Sequence, residues 1–130
     1  INDKNCSLWG SWMIECNGNV TYFGGDTAYG SHFKVIAQEF KSIDVAALPV
    51  GPCEPRQWMR HSHMDADDAA LACVALRARH FIPIHWGTFH FGNELAYLPI
   101  ERLKKWWDTH PEHQEDMILH EPKAGMGIEF

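Results

Sequence analysis

The chain has 130 residues, 45% of them hydrophobic, with six Trp, seven Phe and three Tyr, which is enough for one domain with an apolar core and argues against a disordered segment. The 17 acidic and 11 basic side chains give a formal net charge of -6, which works against nucleic-acid binding, since phosphate contact rests on clustered Lys and Arg. No apolar run reaches the roughly 18 to 20 residues that span a bilayer, and no basic-then-apolar leader opens the sequence, so a soluble, cytoplasmic chain is expected, with membrane association of a longer protein as the alternative.

Leu8 to Glu15 and Val20 to Phe23 are rich in β-branched and aromatic residues, and Asn17-Gly18 between them is a strong hairpin signal, so two antiparallel strands are expected. Phe33, Ile36, Ala37 and Phe40 recur at helical spacing, which predicts a helix over Ser31 to Phe40 with Ser31 as its cap. Ile43 to Val50 is a nearly continuous apolar run, the pattern of a strand covered on both faces, and Pro-Val-Gly-Pro ends it. Ala66 to Ala78 are helix formers, with Asp65 placed to cap the start, Asp67 and Asp68 in the first turn, and Arg77 and Arg79 at the end.

His80 to His85 predicts a further buried strand, in which Pro83 suits an end or bulge better than mid-ladder. A helix from Pro99 to Asp108 is expected to bury Ile100, Leu103 and Trp107, and two short strands are expected at Met117 to His120 and Gly127 to Phe130. The resulting order, β-β-α-β-α-β-α-β-β, describes an α/β layer of sheet and helices. The four cysteines are widely spaced and contain no Cys-x-x-Cys pair, so free thiols in a reducing compartment are expected, with a Cys6 to Cys16 disulfide across the hairpin as the alternative.

Two segments carry the chemistry: Gly24-Gly25-Asp26 after the second strand, and Ile84-His85-Trp86-Gly87 at the end of a later one. Each puts a potential metal ligand where a strand gives way to a loop. If the strands before Asp26, Pro49 and His85 are parallel neighbours, their exits open on one sheet edge, the usual place for a site in an α/β layer. A carboxylate and an imidazole suit zinc, whereas the plain alternatives are a turn cap for Asp26 and a core histidine for His85. His61-Ser62-His63-Met64-Asp65-Ala66 resembles a His-x-His-x-Asp-His zinc motif, but its sixth position is Ala66 and its Asp65 is placed as a helix cap, so it is read as a false match. His63 instead lies just before a helix N-terminus, where an imidazole and N–H groups can hold an anion.

Leu8-Trp9-Gly10-Ser11-Trp12, Tyr22 to Tyr29, Ile43 to Gly51 with Glu54-Pro55-Arg56, His63-Met64-Asp65 and Ile84 to Phe89 occur in an order that resembles the C-terminal half of the zinc hydrolases related to N-acyl-phosphatidylethanolamine-hydrolysing phospholipase D. These belong to the metallo-β-lactamase superfamily. The resemblance implies half of an αββα sandwich, a mixed sheet with helices on its outer face. It implies a dinuclear-zinc phosphodiesterase acting on a phospholipid-like or other phosphate ester, with Asp26 bridging two zinc ions, His85 as a terminal ligand of one, and His63 near the substrate phosphate. Two cations about 3.5 to 4 Å apart repel, and a shared carboxylate offsets that repulsion while the pair lowers the pKa of a water toward neutrality.

The family's His-x-His-x-Asp-His motif has no counterpart before Asp26. The chain is therefore expected to be the C-terminal portion of one domain, weak in zinc binding and inactive by itself, with an uncovered apolar face that favours self-association. A non-catalytic scaffold or binding module that retains the fold is the competing reading. Trp58, Met59, Trp86, Phe89 and Phe91 flank the expected site, either as a lipid-facing mouth or as core.

Overall fold

A computed structural model describes residues 10–90, 93–123 and 125–129, so Cys6, the expected strand start at Leu8, Phe91 and Phe130 lie outside the described residues. Strands β1 (Trp12–Cys16) and β2 (Asn19–Phe23) are antiparallel, and the turn between them has Asn17 at φ 51° and Gly18 at φ 83°. A tight hairpin turn needs two successive left-handed residues, and Asn-Gly adopts them at least cost. Helix α1 (His32–Glu39) leads to β3 (Val45–Pro49), which lies parallel to β2. Helices α2 (Arg56–Met59) and α3 (Ala66–Leu76) lead to β4 (His80–Ile84), parallel to β3. Helix α4 (Leu98–Thr109) and a 3-10 turn at Pro111–His113 lead to β5 (Ile118–Leu119), parallel to β4.

The five strands lie side by side in chain order, β1 to β5. Their register puts Tyr22, Ala46 and Phe81 on one face, where they pack with Phe33 of α1, Ala70 and Cys73 of α3, and Leu103 and Trp106 of α4. The small side chains of α3 let that helix lie close to the strands. Phe33, Leu48 and Phe81 are fully buried, and each such side chain stabilises the fold by roughly 1.5–3 kcal/mol. The opposite face carries Trp12, Phe23, Ala47, Ile82 and Ile118, and no helix among the described residues packs on it. Trp12 is 70% exposed there and Phe23 41%.

Asp65 caps α3 by accepting the Asp68 N–H at 2.9 Å, as its position predicts, and Arg77 ends that helix in the left-handed conformation. Three expectations are corrected here, and a fourth, the place of Pro83, below. Ser31 makes no side-chain cap to α1; it is itself helical in φ and ψ, and its carbonyl accepts from Lys34 and Val35. Helix α4 buries Trp106 with Pro99, Ile100 and Leu103, while Trp107 is partly buried. The reason is the segment that follows: His110 stacks on Trp106 at a centroid distance of 4.2 Å and His113 at 5.5 Å. Residues 127–129 form no strand, and the turn of helix at Arg56–Met59 is an element the apolar pattern does not show.

Pro83 sits inside β4, paired with Leu48, and not at an end. In a parallel ladder alternate residues address opposite neighbours. His80 N–H donates to Asp44 and the Ile84 carbonyl accepts from Val50, so these even positions serve β3; the Arg79 and Phe81 carbonyls accept from Ile118 and His120, so the odd positions serve β5. Strand β5 ends before it reaches Pro83, whose missing N–H therefore leaves no rung broken.

Candidate metal centre

Strands β2, β3 and β4 run parallel as neighbours, so the loops after Phe23, Pro49 and Ile84 leave the sheet at one edge. Gly24 extends the ladder by donating to the Ala47 carbonyl at 2.9 Å, and a β-carbon there would stand 3.2 Å from Leu48 Cδ2. Gly25, at φ 60°, then turns the chain so that Asp26 projects from the edge. His85 follows β4 at φ 62°, in a backbone region that costs a histidine free energy and that concentrates at functional positions. His63 arrives from the segment before α3, where Met64 N–H donates to the Thr27 carbonyl at 3.0 Å and ties that segment to the Asp26 loop.

The three residues meet. Asp26, His63 and His85 each offer a ligand atom, and these atoms all lie within 4.8 Å of one another. His85 Nδ1 lies 2.7 Å from the Gly51 carbonyl, which can only accept, so Nδ1 carries a proton, and in the neutral form of the ring the lone pair is at Nε2. Nε2 lies 3.5 Å from Asp26 Oδ1. Two electron-pair donors bound tetrahedrally to one zinc at about 2.0–2.1 Å stand roughly 3.4 Å apart, so this separation and this tautomer fit a metal ion. The histidine rings stack at a centroid distance of 5.6 Å with planes 10° apart. Burial pulls the His63 pKa below the usual histidine value, Asp26 opposes that and His85 adds to it, so the imidazole is neutral at neutral pH. Its Nδ1 is buried without a hydrogen-bond partner among the described residues.

Arg56 supports the cluster from below. It donates to the His63 carbonyl at 3.0 Å, pairs with Asp65 at 2.8 Å and also pairs with Asp68. Burial, then Asp65, raises the Asp68 pKa and the Arg56 guanidinium opposes that. Asp65 thus serves α3 and Arg56, and the N–H it caps is not open to an anion. His61 is exposed and lines a cleft of about 830 Å³ that opens beside Asp26 and His63, together with Ser11, Tyr22 and His32. Trp58 and Phe89 are 70% and 72% exposed, whereas Trp86 is partly buried and donates its ring N–H to the Pro83 carbonyl at 3.0 Å. Cys16, Cys53 and Cys73 are free thiols; burial pushes Cys53 up to about 11 and raises Cys73, so neither of the two is a thiolate nucleophile at neutral pH.

Sequence reasoning missed the Gly51 carbonyl and the Arg56 clamp. The only local signal for either is a glycine after an apolar run and an arginine nine residues before Asp65, and neither spacing has meaning until the fold is known.

This architecture is that of metallo-β-lactamase fold proteins. The structure of Igni18, a metallo hydrolase from the archaeon Ignicoccus hospitalis, superposes with a TM-score of 0.66 at 22% identity, over 92% of this chain and 46% of that one. The β-lactamase superfamily domain matches residues 1–86, and the chain belongs to that family. It is 36% identical over 121 residues to the N-acyl-phosphatidylethanolamine-hydrolyzing phospholipase D 1 of Caenorhabditis elegans, covering 92% of this chain and 34% of that protein. It is 33% identical over 103 residues to outer membrane protein RomA of Klebsiella pneumoniae, covering 79% and 74% respectively. The chain thus spans about a third of the phospholipase. No helix among the described residues is long and apolar enough to cross a membrane.

Proposed function

We propose that this chain contributes part of the active centre of a metal-dependent hydrolase, a dinuclear-zinc phosphodiesterase whose substrate is a phospholipid-like or other phosphate ester. The observation that carries the reading is the meeting of Asp26, His63 and His85 within 4.8 Å, with His85 held in the tautomer that presents Nε2. Similarity to a phospholipase D supports the ester class. When bound, a pair of zinc ions supplies Lewis acidity and brings the pKa of a water close to neutrality.

The protein's own groups have distinct tasks. Asp26, with its side chain 66% exposed, has two carboxylate oxygens that could be shared between cations, and His85 would hold one of them through Nε2. His63, neutral at working pH, hydrogen-bonds a non-bridging phosphate oxygen and adds no charge. Exposed Trp58 and Phe89 offer apolar contact to the rest of the substrate.

The uncovered sheet face, with Trp12, Phe23 and Ile118 exposed, is read as the inner surface against which a second half-sheet packs, so that residues 1–130 form the C-terminal portion of one domain. Asp26→Ala tests the catalytic reading. In the intact enzyme it should lower zinc-dependent turnover of a phosphodiester reporter on the order of a thousandfold, because several kcal/mol of charge stabilisation is lost, with an unchanged circular dichroism spectrum. Near-normal turnover would overturn the bridging role.

A further inference from the structure

Glu94 is the buried charged residue of the described core, 7% exposed, and nothing in the sequence pattern gives it a task. Its Oε1 accepts the Cys53 N–H at 2.7 Å, and its Oε2 is buried without a hydrogen-bond partner among the described residues. A buried carboxyl group with one amide partner and one unpartnered oxygen costs folding free energy that an apolar side chain of the same volume would avoid, even with the Arg102 guanidinium in its electrostatic reach. The position is therefore better explained by what Oε1 holds than by packing.

What it holds is the corner after β3. Val50 N–H donates to the Ile84 carbonyl at 3.1 Å, which anchors the corner's start to the strand that ends at His85. Gly51 comes next, and its carbonyl accepts the His85 Nδ1 proton at 2.7 Å. Cys53 closes the corner on Glu94. Gly51 itself lies against the loop and helix that carry Glu94: a β-carbon at 51 would stand 2.9 Å from Pro99 Cγ and 3.6 Å from Glu94 Oε1. Arg102 of α4 donates to Glu54 at 2.9 Å and also lies within electrostatic reach of Glu94 and Cys53.

We infer that Glu94 is a positioning residue for His85: by holding the Cys53 N–H it fixes the Gly51 carbonyl where that carbonyl takes the His85 Nδ1 proton, and so presents Nε2 toward Asp26. The inference rests on the proposed reading of His85 as a metal ligand. Removing an outer hydrogen-bond partner of a metal-binding histidine typically weakens metal affinity about 10- to 100-fold.

The test compares wild type, Glu94→Gln and Glu94→Leu by nitrogen NMR of the histidine rings in metal-free protein, and by zinc affinity in competition with a chelator. His85→Ala serves as the control. His85 should be the Nδ1–H tautomer in wild type and in Glu94→Gln, whose amide oxygen still accepts from Cys53. Glu94→Leu should show a tautomer mixture and zinc affinity weaker by about 10- to 100-fold. An unchanged tautomer in Glu94→Leu, or a Glu94→Gln as perturbed as Glu94→Leu, overturns the positioning role. If Glu94→Leu does not fold, the wild-type spectrum still decides, because an Nε2–H tautomer there overturns it as well. Unchanged zinc affinity in His85→Ala overturns the ligand reading instead, and the ring tautomer judges Glu94 independently of metal.

Discussion

The two ends of the parallel strands each carry a pair of histidines, and the pairs are used in opposite ways. At the C-terminal end His63 and His85 stack, the His85 ring N–H is absorbed by the Gly51 carbonyl, and a carboxylate joins them. At the other end His80 Nδ1 and His120 Nε2 lie 2.9 Å apart, so one ring donates to the other, and Asp44 already accepts the Val20 N–H at 2.7 Å. A histidine pair that satisfies itself is a clip between β4 and the segment after β5. A histidine that gives its Nδ1 proton to the backbone directs Nε2 the other way, toward Asp26 here, and this separates the proposed ligand set from a structural contact.

The comparison breaks most sharply at His85. In the complete protein His85→Ala should weaken zinc binding about a hundredfold, read as lost zinc content in elemental analysis after dialysis, whereas His120→Ala should leave it unchanged. Equal zinc content in the two variants would erase the distinction between the ends. Next in size is Arg56→Ala, which removes charged hydrogen bonds to the His63 carbonyl, Asp65 and Asp68; a stability loss of about 1.5–3 kcal/mol is expected in urea denaturation.

The self-satisfied pair should respond to acid. Burial first, and for His80 then His120 and Arg79, lowers the pKa of His80, and burial lowers that of His120. As pH falls below about 6.5 the unfolded chain takes up protons before the folded one does, so this stability is fully present above that pH and is lost toward the folded-state values. Melting temperature should therefore drop between about pH 7.5 and 5.5, and His120→Gln should flatten part of that slope. His32 and His63 shift in the same direction and add to that slope. The smallest effect is expected from His61→Ala: His61 is exposed and outside the ligand cluster, so zinc content should stay within about twofold of wild type.

Much of this fold is legible in the sequence because local pattern and tertiary demand agree. Asn17-Gly18 specifies its turn, the run before Pro49 its buried strand, and Asp65 its cap. Asp26 and His85 are legible for the same reason, each standing where a strand ends beside a glycine. Other features depend on distance that the chain closes only on folding. The Cys53 and Glu94 contact joins residues 41 apart, and the His85 and Gly51 contact joins residues 34 apart, so no window of sequence contains either. Trp106 and Trp107 look equivalent on a helical stripe until His110 and His113 fold back and cover the first.

Pro83 has one more consequence. The next rung between β4 and β5 would be an N–H from residue 83 to the carbonyl of His120, and proline has none to give. The following rung would need an N–H from residue 122, also a proline, so neither strand has a donor to extend the ladder, and a side opening of about 510 Å³ bordered by Pro83, Pro122, His85, Tyr97 and Lys123 lies along that flank.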